Sequence, residues 1–84
     1  MAVPAYSLFQ SGKVNKTAAG EMTITFPRPF SNAVPNVVVS PIWTRQVGQI
    51  ETITKVTNTD FTITSGNADP EYFVSWIAAG TELE

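Results

Sequence analysis

Apolar and polar residues alternate through much of this chain, most plainly in Glu21-Met22-Thr23-Ile24-Thr25-Phe26. Successive side chains of a strand point to opposite faces, so Met22, Ile24 and Phe26 share one face and Glu21, Thr23 and Thr25 the other. That is the pattern of a half-buried antiparallel strand. Tyr72 to Gly80 (YFVSWIAAG) differs. Tyr72, Val74, Trp76 and Ala78 fall on one parity, Phe73, Ser75, Ile77 and Ala79 on the other, and both sets are mostly apolar. Such a strand needs cover on both faces.

Four more segments read as strands. Tyr6 to Val14 carries Gly12 near its end, a candidate bulge. Asn36 to Trp43 is apolar on both faces, and Pro41 assigns it to a sheet edge or a bulge. Ile50 to Val56 is threonine-rich, with Ile53 on the parity opposite to Ile50 and read as facing a partner chain. Phe61 to Ser65 follows a tight turn at Thr57-Asn58-Thr59-Asp60, with Phe61 and Ile63 inward. Asn15 to Gly20, Pro27 to Pro35, Thr44 to Gln49 and Gly66 to Pro70 are connections. Phe30, within the proline-rich one, is expected to plug an end of the core. No window sustains a helical period, and Thr, Val and Ile favour strands. The pattern predicts an all-β fold, a six-stranded antiparallel β-sandwich in one domain over 1–84. Residues 1–5 read as an extended lead-in and Leu83-Glu84 as an expression scar.

Composition narrows the partners. A chain of 84 residues buries little more than ~60% of its unfolded surface, and small domains often add disulfides, metals or oligomerisation. With no cysteine and no histidine, disulfides and the usual zinc, copper and haem ligand sets are excluded. Oligomerisation is the reinforcement left. The net charge is −2, and Lys13, Lys16, Arg28, Arg45 and Lys55 are scattered, which argues against nucleic acid. No apolar stretch is long enough to span a bilayer and no signal-peptide layout opens the chain, so no membrane insertion is expected. The Asn15-Lys16-Thr17 glycosylation pattern is read as unused for the same reason.

The run of Gln10-Ser11-Gly12-Lys13-Val14, Ile24-Thr25-Phe26 with Pro29-Phe30, Pro35 with Val37-Val38-Val39, Val56-Thr57 with Phe61, and Val74-Ser75-Trp76-Ile77-Ala78 resembles the H-type lectin family. The resemblance spans about Phe9 to Gly80. It implies a six-stranded antiparallel sandwich assembled as a parallel homotrimer that binds galactose-type sugars, notably N-acetylgalactosamine, near protomer boundaries. This chain departs from the family at its sugar site. The family arginine position holds Gly48 or Gln49, with Arg45 a few residues early; the loop before the last strand has no tryptophan; and Asn15 to Gly20 is short and lacks an acidic residue. A second similarity is to phage tail-fibre and tail-spike tip domains, carried by Thr25-Phe26-Pro27-Arg28-Pro29-Phe30 and Trp76-Ile77-Ala78-Ala79-Gly80. It implies a trimer serving fibre assembly and receptor binding. Either resemblance implies an extracellular or virion-associated protein.

Candidate chemistry is sparse. Without His or Cys, catalysis would need a serine with lysine or a carboxylate pair, and Glu21, Glu51, Asp60, Asp69, Glu71 and Glu82 fall mostly at strand ends or on polar faces. The chain reads as a non-enzyme without cofactors. Asn67, Asp69 and Glu71 alternate oxygen ligands, but a plain turn outweighs a calcium loop there. For a carbohydrate, Trp43 is the leading contact, weighed against packing at a protomer boundary. A sugar's apolar face stacks on indole while its hydroxyls take planar or charged donors. The proposed ligand set is Trp43, Arg45, Asn67, Asp69 and the Tyr72 hydroxyl, with Trp76 assigned to the core. Glycans and further copies of the same chain are the expected partners.

Overall fold

The computed structural model describes residues 9–30 and 34–80. Six antiparallel strands run in order as β1 (Phe9–Asn15), β2 (Gly20–Thr25), β3 (Asn36–Ile42), β4 (Thr52–Val56), β5 (Asp60–Ser65) and β6 (Phe73–Ala79). They form two three-stranded sheets, β1-β6-β3 and β2-β5-β4. No helix occurs among the described residues. The all-β, six-stranded antiparallel architecture expected from the alternation is the one observed. Tyr6, Ser7 and Leu8, read as the start of the first strand, lie outside the described residues, as does the terminal Leu83-Glu84.

The two most apolar strands sit at the sheet centres. β6 sends Val74, Trp76 and Ala78 inward, joined by the adjoining Tyr72, and these meet Phe61 and Ile63 of β5 and Ile24 of β2. Phe26, Phe61 and Trp76 form an aromatic knot across the sheets, with ring centroids 5.5–5.7 Å apart. Contacts of this kind add about 0.5–1.5 kcal/mol per pair beyond area burial. Phe30 closes the end as expected, edge-on to Phe26 at 5.0 Å. It is held by mutual bonds with the 57–60 turn: Phe30 N donates to the Asn58 carbonyl, and Asn58 Nδ2 to the Phe30 carbonyl.

Two local expectations are corrected. Gly12 is not a bulge, because β1 pairs with β6 without a break from Phe9↔Ala79 to Asn15↔Phe73. The glycine is needed for space, since a Cβ there would lie 2.9 Å from Trp76 Nε1. The irregularity falls instead in β4, between Ile53 and Lys55. Ile53 does not face outward either; it packs against the core from β4, while Ile50 is 79% exposed. Pro41 is at an edge, as predicted, since β3 pairs only with β6 among the described strands. Gly20 opens β2 at φ 102°, a left-handed conformation that a side chain would strain.

The outer faces of the two sheets differ in chemistry. On β2-β5-β4 the outward rows carry Glu21, Thr23, Thr25, Asp60, Thr62, Thr64 and Thr52, with Thr23 and Thr62 hydroxyls 3.0 Å apart. On β1-β6-β3 the second parity of β6 reaches the surface, and Ile77 is 46% exposed. The second cover that β6 requires is absent from the described part of the protomer.

Candidate functional site

One end of the sandwich gathers every residue of the predicted ligand set. Trp43 follows β3, residues 66–72 join β5 to β6, and residues 16–19 join β1 to β2. Backbone bonds extend past β1 and β6 and fasten these loops together. Lys16 N donates to the Tyr72 carbonyl at 2.9 Å, Asp69 N to the Lys16 carbonyl at 3.2 Å, and Tyr72 N to the Asp69 carbonyl at 3.1 Å. Asn15 Nδ2 adds a bond to the Tyr72 carbonyl at 2.8 Å.

Below this surface is a closed polar network. Glu51 Oε2 accepts from the Tyr72 hydroxyl at 2.5 Å, from Ser65 Oγ at 2.6 Å and from Asn67 Nδ2 at 3.4 Å. Asn67 Oδ1 accepts from Gln49 N at 3.2 Å, and its Nδ2 also donates to the Gln49 carbonyl at 2.6 Å. Gln49 Oε1 in turn accepts from Gly66 N. Beside it Lys16 is 1% exposed, and its ammonium donates to the carbonyls of Ala18, Ser65 and Asn67 at 2.8–3.2 Å. Those three acceptors match its three N–H groups, which is what allows so polar a group to be buried.

Burial first, and then the bond to the Glu51 carboxylate, push the Tyr72 phenol up from 10.0 to about 12. Tyr72 therefore keeps its proton across the physiological range and acts as a donor to Glu51, not as a base or nucleophile. Glu51 Oε1 is buried with no hydrogen-bond partner among the described residues.

The predicted residues separate by depth. Asn67 is 6% and Tyr72 0% exposed, and their polar atoms are engaged within the protein. The Tyr72 hydroxyl thus does not reach solvent, contrary to its expected placement; the ring packs inward and carries the hydroxyl to Glu51. Asp69 uses Oδ1 to accept from Glu71 N at 2.8 Å, an Asx turn. Trp43 is half-buried and tilts against the Tyr72 ring, centroids 5.0 Å apart. Arg45 is exposed, with its guanidinium 5.5 Å from the centroid of the Trp43 ring. Exposed cation–π contacts of this kind are worth about 0.5–1 kcal/mol. The accessible chemistry at this end includes the half-buried Trp43 indole, the exposed Arg45 guanidinium over it and the exposed Glu71 that closes the Asp69 turn.

Lys16, Gln49, Glu51 and Ser65 were not among the predicted residues, although they hold the loops that carry them. Glu51 shares the parity of Ile53, so the reading that turned Ile53 outward turned Glu51 outward with it, whereas both face inward. Nothing in the sequence marked Lys16, placed in a polar, small-residue connection that reads as solvated.

Comparison with known proteins decides the family. Residues 7–81 match the family described as "Putative tail fiber protein gp53-like, C-terminal". The chain belongs to this family. The match takes in all six strands and every loop of the polar end. None of the curated proteins and none of the solved structures matches the chain. Of the two resemblances read from the sequence, the tail-fibre one is the one that the family match carries. In this gp53-like C-terminal domain the two sheets carry the loops at the Trp43 end.

Proposed function

We propose that this domain is a non-enzymatic tail-fibre tip that works as a homotrimer and touches its receptor through the end bearing Trp43 and Arg45. The observation that carries the reading is the tail-fibre family match over residues 7–81. Receptor contact is supported by the chemistry at that end. A half-buried indole beside an exposed guanidinium suits a glycan, whose ring has an apolar face and whose hydroxyls accept from a planar cation. Trp43, Arg45 and Asp69 make the contact in this reading, and Asn67 and Tyr72 hold the loops from beneath. Each such site is weak alone, and three copies on one particle multiply avidity without new contacts.

A glycan array probed with the 84-residue protein tests the receptor part. At least one carbohydrate class is expected to bind, with about tenfold or greater loss in Trp43→Ala and in Arg45→Ala, the latter removing only an exposed side chain. Absence of any binder, or binding that survives both substitutions, removes the carbohydrate-binding role and leaves a domain whose task is fibre assembly.

A further inference from the structure

We infer that Gln49 and Gly66 are positioning residues for the receptor contacts, fastening the loop that carries Arg45 to the loop that carries Asp69. The inference rests on the glycan-contact reading and adds to it the pair that sets the geometry of the site. Two side-chain amides cross between these loops in opposite directions. The Asn67 carboxamide grips the main chain of Gln49, accepting from its N–H at 3.2 Å and donating to its carbonyl at 2.6 Å. The Gln49 carboxamide reaches back, and its Oε1 accepts from Gly66 N at 2.5 Å. Each loop thus holds the other's backbone, through a buried amide at Asn67 and an exposed one at Gln49.

Gly66 gives the second grip its room. A Cβ there would lie 3.2 Å from Gln49 Oε1 and 3.3 Å from both its Cδ and its Nε2. Those distances are shorter than the ~3.5–4.0 Å of an ordinary carbon contact. The near-equal values show that the carboxamide turns its face to the Gly66 backbone. Space is the whole demand, because the left-handed glycine is Gly20 and not Gly66. Among the described residues, the hydrogen bonds that join the 43–49 and 66–72 segments directly are these at Gln49. Their other link is the Trp43–Tyr72 ring contact. A ring contact lets its partners slide, whereas hydrogen bonds are directional and fix register. Arg45 and Asp69 stand on opposite sides of this fastening. A glycan that touches both meets a surface already ordered, and without the Gln49 grip it has to order the two loops itself.

The test is a double-mutant cycle on the 84-residue protein, read as half-saturation on the best-bound oligosaccharide of an immobilised array. Gln49→Ala should weaken binding about three- to tenfold, the worth of one hydrogen bond, with an unchanged urea midpoint and faster hydrogen exchange at the Gly66 amide. Gly66→Ala, which displaces the carboxamide without altering it, should give a similar loss. The double variant should be no weaker than Gln49→Ala alone, since the two act through one contact. Gln49→Glu keeps the acceptor for Gly66 N and should bind as wild type does. Additive losses, or full binding in both single variants, overturn the positioning role. An equal loss in Gln49→Glu and Gln49→Ala overturns it in favour of direct contact through Nε2. A urea midpoint that falls along with binding replaces it with a general structural role. Unchanged Gly66 exchange in Gln49→Ala overturns the grip itself, whether or not any oligosaccharide binds. A wild type that binds no oligosaccharide removes the glycan-contact reading and the positioning role together, and leaves the grip to be judged by exchange.

Discussion

Tyr72 shows how one side chain couples the two sheets. Its ring fills the space beneath Trp43, and its hydroxyl reaches Glu51, just ahead of β4, at 2.5 Å. The fold holds the phenol proton more tightly than the unfolded chain does, raising its pKa from 10.0 to about 12. The sign follows directly: the contribution is complete below pH 10 and is lost as pH rises towards 12. Urea unfolding at a series of pH values should show stability falling through that window, with a Tyr72 contribution of up to about 1.4 kcal/mol per pH unit. Tyr72→Phe should flatten that part of the slope; an identical slope in the variant would refute the assignment. Asn67 carries a related lesson. An Asn two residues before an Asp in a loop reads as solvent-facing from sequence, yet this one is turned inward because Gln49, Glu51 and Tyr72 all present partners to one amide.

At the scale of elements, most of the architecture is legible because alternation encodes it. Met22, Ile24 and Phe26 of the second segment, and Phe61 and Ile63 of the fifth, face the core as their parity demands. Pro41 lies on an edge strand because it has no amide to donate to a second neighbour. β1 was misread at Gly12, since a glycine within a strand fits a bulge as well as a close approach. Its indole neighbour comes from a strand more than 60 residues away in sequence. Gly12→Val tests the close approach. Valine has the higher strand propensity, so a bulge or an open site would tolerate or welcome it. Against Trp76 it is overpacked, and chemical denaturation should show a loss of about 1–3 kcal/mol. Ile53 was placed outward because Ile50 was taken as the inward residue; Ile50 precedes β4 and is 79% exposed, so the opposite parity, with Glu51 and Ile53, is the inner one.

The whole molecule is closed at one end by Lys16, which follows β1 of one sheet and bonds to Ser65 at the end of β5 in the other. Removing its ammonium leaves three carbonyls without that donor. Lys16→Met, of similar length, should therefore cost about 2–4 kcal/mol. Exposed Lys55→Met should stay within about 0.5 kcal/mol, with both read from thermal and urea melts. Equal effects would show that the buried ammonium has no special role. The same end presents Trp43 and Arg45, so the domain joins a stiff polar underside to its accessible loops. The far side of β6 offers an apolar face, with Ile77 46% exposed.

Strand number, the inward residues of β2 and β5, the Phe30 plug and the need for two covers on β6 follow from the sequence by itself. Each depends on periods of two and on residues near in the chain. What covers each face, and which loops share an end, are contacts between segments tens of residues apart, and no local pattern records them. Only the tertiary structure decided that Lys16 and Glu51 are buried, that Tyr72 points to Glu51, and that Gly12 makes room for an indole. A polar side chain goes inward when distant partners satisfy it, and those partners are assembled only by the fold.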